Sequence, residues 1–131
     1  RDIGVTGVQT CALPILDDVL GHMSAGASWE GFVLENLLSV LPDGVSPWFY
    51  RTAAGAEIDL VLEYGTTRRV AIEIKRSLSP SVSKGFYQGC TDLGIVSRFL
   101  VYLGEEAFPL GHGIEAVPMA VLMQRLKETL F

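Results

Sequence analysis

From Ala56 to Arg76 the chain alternates apolar and charged residues on either side of a short Gly-Thr-Thr turn. Every second residue of a strand shares a face, so Ile58, Leu60 and Leu62 point one way and Glu57, Asp59, Val61 and Glu63 the other. This period predicts strands over Ala56–Tyr64 and Arg69–Arg76 joined at Gly65–Thr67. In the second strand Ile72 and Ile74 alternate with Ala71, Glu73 and Lys75. Upstream the period changes. Trp29, Phe32, Val33, Asn36, Leu37 and Val40 recur at helical spacing, which predicts a helix over Ala27–Leu41 ended by Pro42-Asp43-Gly44. Aromatic-rich Pro47–Thr52 reads as a strand. Downstream, Ser77–Ser83 is a Ser/Pro loop, Ser83–Leu93 a helix closed at Gly94, and Arg98–Leu103 a continuous apolar strand. Gly104–Gly113 reads as a loop, Ile114–Val117 as a short strand, and Pro118 opens a last helix to about Leu130. The predicted order is α-β-β-β-α-β-β-α.

A length of 131 residues bounds the chain to one domain, and 49% apolar with 19% charged residues is a globular composition. The net charge of −5 argues against a polybasic nucleic-acid binder. Most of the positive charge nevertheless falls in one stretch, at Arg51, Arg68, Arg69, Lys75, Arg76 and Lys84. Cys11 and Cys90 lie far apart, without disulfide-framework or metal-ligand spacing, which implies a reducing, cytoplasmic setting. No apolar run approaches the ~18–20 residues of a membrane helix, so no membrane partner is expected. His22 and His112 have no catalytic or zinc-spaced companion, and the aromatics Trp29, Trp48, Phe49 and Tyr50 read as core. Elbow and histidine-partner patterns of serine and cysteine hydrolases are absent.

The N-terminus stands apart. Val5 to Ile15 reads VTGVQTCALPI, the translation of a common sequencing adapter, so residues 1–15 are expected to be an artefact fused to a natural segment, 16–131, that once extended further upstream.

Candidate chemistry lies in the hairpin. With the turn centred on Thr66, Asp59 comes opposite Glu73, and Asp59, Glu73 and Lys75 share a face. Cross-strand Cβ atoms are ~4.5–5.5 Å apart, where two carboxylates repel unless a positive charge lies between them. Hard Mg²⁺ suits such a pair, and Lys75 beside it could steady an attacking water or a developing phosphate charge. The plain reading is an amphipathic hairpin with solvent-facing acids.

Asp59 followed by Glu73-Ile74-Lys75 resembles the PD-(D/E)xK motif of restriction-endonuclease-like nucleases, with Ile58 in place of the motif's Pro. The resemblance implies an α/β (α+β) fold with a mixed central sheet flanked by helices. It also implies Asp59 and Glu73 as metal ligands, Lys75 as the catalytic base or water-orienting group, and Glu35 on the preceding helix as an additional acid. Arg51, Arg76 and Lys84 are then weaker candidates for nucleic-acid contact. More narrowly, GASWEGFVLENLL, FYRTAAGAEIDLVLE, AIEIKRSLSP and RFLVYLGEEAFPL are similar in order and spacing to the DUF4143 domain. That family implies the C-terminal half of a prokaryotic protein whose other half is an AAA-type ATPase. No GxxxxGK(S/T) occurs here, so ATP is expected only in the parent's missing part. Two functions follow: a DNA-associated, Mg²⁺-dependent nuclease module, or a catalytically inactive nuclease fold that binds DNA or a protein. Oligomeric state is not legible.

Overall fold

The computed structural model describes residues 8–11 and 28–131. Its elements in chain order are β1 (Val8–Cys11), α1 (Trp29–Ser39), β2 (Val45–Thr52), β3 (Glu57–Tyr64), β4 (Arg68–Ile74), α2 (Lys84–Leu93), β5 (Ser97–Tyr102), β6 (Phe108–Gly111), β7 (Ile114–Pro118) and α3 (Met119–Glu128). The strands form one sheet in the order β1-β2-β3-β4-β5-β7-β6. It is mixed: β1 to β4 run antiparallel, β4, β5 and β7 parallel, and β6 antiparallel to β7. The predicted α/β fold with a mixed sheet and flanking helices is the fold observed.

Three consecutive residues of β3, Leu60, Val61 and Leu62, are fully buried, as are Ala71 and Ile72 of β4. Successive strand residues face opposite ways, so both faces of the central sheet are covered. The apolar run of β5 is buried from Phe99 through Tyr102 for the same reason. Among the helices, α1 packs on α3, while α3 also meets β5 and β7 and α2 lies on β3.

One helix departs in detail from the periodic reading. In α1 the buried residues are Gly31, Val33, Leu34 and Leu37, whereas Phe32 is 52% exposed and rests against Trp29 with ring centroids 6.1 Å apart. The buried stripe therefore runs through Gly31 and Leu34 rather than Phe32, and a glycine is a position that hydrophobicity alone does not mark. In α2, Phe86 and Cys90 are buried as expected, and Gly94 (φ 66) closes the helix in the left-handed conformation that glycine adopts without strain.

The predicted loop 104–113 contains a strand. Residues Phe108–Gly111 form edge strand β6, whose Pro109 has no N–H to give a ladder and is tolerated because the strand lies at the edge. At the other edge, β1 falls within residues 1–15 and pairs with β2 in register Val8↔Thr52 to Cys11↔Phe49.

Close contacts fix α2 on the hairpin. A methyl group at Gly89 would lie 2.7 Å from the Ile58 side chain, and one at Gly85 would lie 2.6 Å from the carbonyl oxygen of Gly55. Tyr50 adds a tether by donating its hydroxyl to Asp92 Oδ2 at 3.0 Å. The Gly85 obstacle is backbone, which cannot swing aside as a side chain can. Gly85→Ala is therefore expected to destabilise the domain by about 1–2 kcal/mol, although alanine is the better helix former. Urea denaturation measures it, and an alanine variant as stable as wild type would show that α2 is free to shift.

Candidate functional site

The antiparallel ladder between β3 and β4 runs from Tyr64↔Arg68 to Leu60↔Ile72 and stops there. Its centre is Thr66, as the sequence predicts. Beyond Leu60, β3 continues to Glu57 alongside β2, and beyond Ile72, β4 continues to Ile74 alongside β5. The two strands thus part company at Asp59 and Glu73. Asp59 fills the fork: its Oδ2 accepts the backbone N–H of Ile74 at 2.8 Å. A side chain has replaced the carbonyl that a continued ladder would supply.

The fork opens a cleft of about 300 Å³ lined by Glu30, Glu57, Asp59, Glu73, Ile74, Lys75, Arg76 and Ser83. Asp59, Glu73 and Lys75 are thus brought together. Lys75 Nζ stands 4.0 Å from Glu73 Oε2, and Glu73 is 7% exposed. Both oxygens of Glu73 are held by one residue: Ser83 donates its backbone N–H to Oε1 at 3.1 Å and its hydroxyl to Oε2 at 2.7 Å. The pKa of Asp59 is pushed up to about 6, chiefly because burial penalises its charge. Its bond from Ile74 opposes that shift, Glu73 and Glu57 reinforce it, and Lys75 offsets part of it.

Glu35 is exposed and is not among the cleft residues; the acid that α1 brings to the cleft is Glu30. Five residues along a helix of ~3.6 residues per turn rotate a side chain by roughly 140°, so one helix face cannot serve both positions. Glu30 also sits in the first turn of α1, where a negative charge suits the helix dipole. Of the basic candidates, Arg51 is engaged with Glu57 at 3.0 Å. Exposed Arg76 lines the cleft, and Lys84 lines a neighbouring hollow with Gly55 and Gly85. Glu63, on the same strand as Asp59, is buried away from the cleft and bonded to Arg69 at 3.0 Å. Sequence reasoning missed Ser83 as a site residue; the signal present was its position as helix cap directly after the Ser/Pro loop.

The donor set is two carboxylates and a lysine. Among the described residues no group of three or more His, Cys, Asp or Glu is placed to hold a metal ion. Two carboxylates do fit an ion such as Mg²⁺, which keeps several waters and takes one or two protein carboxylates together with substrate phosphates. They do not make a closed cage.

The family model for the domain of unknown function DUF4143 matches residues 25–122. The chain belongs to the DUF4143 family. All the cleft residues lie inside the DUF4143 match, and residues 1–15 lie outside it. Uncharacterized proteins of Mycobacterium tuberculosis and Mycobacterium bovis are each 44% identical to this DUF4143 chain over 94 residues. That match covers 71% of this chain but 21% of each relative, so the chain spans about a fifth of the curated proteins it resembles. No solved structure matches it. Among the described residues no helix is long and apolar enough to cross a membrane.

Proposed function

We propose that this domain is the restriction-endonuclease-like module of a longer protein, a Mg²⁺-dependent phosphodiesterase that acts on DNA. The observation that carries this reading is the convergence of Asp59, Glu73 and Lys75 on one cleft where β3 and β4 separate. The acids Glu30, Glu57, Asp59 and Glu73 outnumber the bases Lys75 and Arg76 along its walls. A bare phosphodiester is repelled there until a cation lies between it and the carboxylates. Asp59 and Glu73 are the ligands that would hold Mg²⁺, and Glu30 is the helix-borne acid nearest to that role. Bound there, Mg²⁺ would supply Lewis-acid polarisation of a phosphoryl oxygen. Lys75, placed beside Glu73, orients a water and faces the charge that develops on the phosphate. Arg76 at the wall is suited to a neighbouring phosphate, because guanidinium groups make forked contacts to phosphate oxygens. An ATPase unit elsewhere in the parent protein is the partner expected to deliver the nucleic acid.

A second reading, a catalytically inactive nuclease fold that binds DNA or a protein, is favoured by the lack of a third metal-ligating residue among the described ones. One titration separates the two. Mn²⁺ and Mg²⁺ are titrated calorimetrically into the 131-residue chain, alongside Asp59→Ala and Glu73→Ala. Saturable binding that weakens at least about tenfold in both variants supports the metal site, and cleavage of plasmid DNA that Lys75→Ala abolishes supports the enzyme. No binding at millimolar metal by a folded sample leaves the interaction module.

A further inference from the structure

We infer that Ser83 is a positioning residue that aims the Glu73 carboxylate into the cleft, making the first turn of α2 part of the cation site. This rests on the metal-dependent reading above. Glu73 ends in a torsion with a broad, weakly defined preference, so a single hydrogen bond would leave its carboxylate plane free to turn. Ser83 grips both oxygens, through N–H on Oε1 at 3.1 Å and through Oγ on Oε2 at 2.7 Å. The direction of the hydroxyl proton is fixed as well. Ser83 Oγ accepts the backbone N–H of Phe86 at 3.1 Å as the N-cap of α2. A hydroxyl has one proton, and with the cap using its lone pair that proton goes to Glu73. A carboxylate offers about four lone-pair positions; Ser83 takes one on each oxygen and leaves the others for a cation and for Lys75, whose Nζ lies 4.0 Å from Oε2.

The loop between Lys75 and Ser83 is held at both ends. Lys75 donates its backbone N–H to the Val101 carbonyl at 2.9 Å, and Leu103 donates to the Ser77 carbonyl at 2.9 Å. At its far end the loop is closed by the Ser83–Glu73 clamp. Lys75 and Arg76 head this loop, so the β5 bonds hold its start and the Ser83–Glu73 clamp its end.

Outer partners of ligating carboxylates typically change metal affinity about 10- to 100-fold when removed. The test uses Mn²⁺ as probe, calorimetry on the 131-residue chain, and the variants Ser83→Gly and Ser83→Thr. Glycine is tolerated at an N-cap and keeps the N–H bond to Glu73 but removes the hydroxyl, whereas threonine keeps both. The dissociation constant is expected to rise about tenfold or more in Ser83→Gly and to stay near wild type in Ser83→Thr. Melting in metal-free buffer shows separately that Ser83→Gly is folded. A Ser83→Gly protein that binds Mn²⁺ like wild type overturns the inference while leaving the metal site intact. A wild type that binds no Mn²⁺ overturns the metal reading and this inference with it. A second measurement needs no variant: hydrogen exchange at the Ser83 amide should stay as slow, or slow further, when the wild type is saturated with Mg²⁺. Faster exchange would mean that the cation takes Glu73 away from Ser83, and positioning would be ruled out.

Discussion

Asp59→Asn is expected to make the folded domain more stable at pH 7, by about 2 kcal/mol. Burial raises the Asp59 carboxyl from 3.8 to about 6 in the fold, with Glu73 and Glu57 adding to the shift. At about 1.4 kcal/mol per pH unit the shift corresponds to roughly 3 kcal/mol, and solvent entering the open cleft lowers the expected gain to about 2. Because the folded value is raised, the folded state holds the Asp59 proton through a range where the unfolded chain has released it. Wild-type stability is therefore whole below about pH 4 and declines as pH climbs through about 6, above which the buried carboxylate is charged in the fold as well. Asparagine does not titrate, and its carbonyl can still accept the Ile74 N–H that Asp59 Oδ2 accepts at 2.8 Å. The advantage of the variant should be near zero at pH 4 and level off above pH 6, which urea denaturation at several pH values reads directly. A variant no more stable than wild type at pH 7, or already more stable at pH 4, would show that the charge of Asp59 costs the fold nothing. A measured cost of that size would support the proposed site, because a purely structural hairpin has no use for a buried charge in a cleft.

The architecture was readable because the strand period of the hairpin is clean, whereas the helical period of α1 located the helix but not its buried face. Leu60, Leu62 and Ile72 at alternate positions identified the core strands, and the Gly65–Thr67 turn, taken as centred on Thr66, set the register that the ladder has. What was not readable depends on where strands and helices end in space. Alternation assumes a continuous ladder, so it placed Asp59 across from Glu73 but did not reveal that the ladder stops at Leu60↔Ile72 or that Asp59 bonds the Ile74 backbone. Glu30 and Glu35 both lie on α1, and the motif resemblance pointed to Glu35. Only the packing of α1, set by buried Gly31, Val33, Leu34 and Leu37, decides that Glu30 reaches the cleft. Ser83 read as a helix start, and its second bond, to a residue ten positions earlier, has no local signature. Strand β6 is hard to read because its four residues, Phe108-Pro109-Leu110-Gly111, are too few to show a period, and Pro and Gly are loop signals that outweigh Phe108 and Leu110.

Arg69→Ala is expected to lose about 3–4 kcal/mol, a large effect for a residue that is not in the apolar core. Glu63 is 2% exposed, and its Oε2 takes the Arg69 Nε–H at 3.0 Å across the hairpin, where the two residues are paired in register. The same guanidinium reaches the Leu93 carbonyl at the end of α2 at 3.5 Å and lies 5.9 Å from the centre of the Trp48 ring. Alanine removes the cation, the stem that covers apolar surface and the link to α2 together. Two further variants separate these contributions. Arg69→Met keeps most of the stem and should still lose at least about 2 kcal/mol, because a buried carboxylate has lost its ion pair. Adding Glu63→Leu to Arg69→Met removes that charge and should return most of the loss, since apolar replacement of a buried pair is often neutral. Urea denaturation of the three proteins at pH 7 measures the cycle. If the double variant is as unstable as Arg69→Met alone, packing rather than charge holds this end of the hairpin. Glu63 stands beside the turn and Asp59 at the fork, so the divalent-cation affinity proposed for the cleft should be unchanged in every folded member of the series. Such invariance would distinguish the two acids: Glu63, paired with Arg69, would serve the fold, and Asp59, on the cleft wall, the proposed cation site.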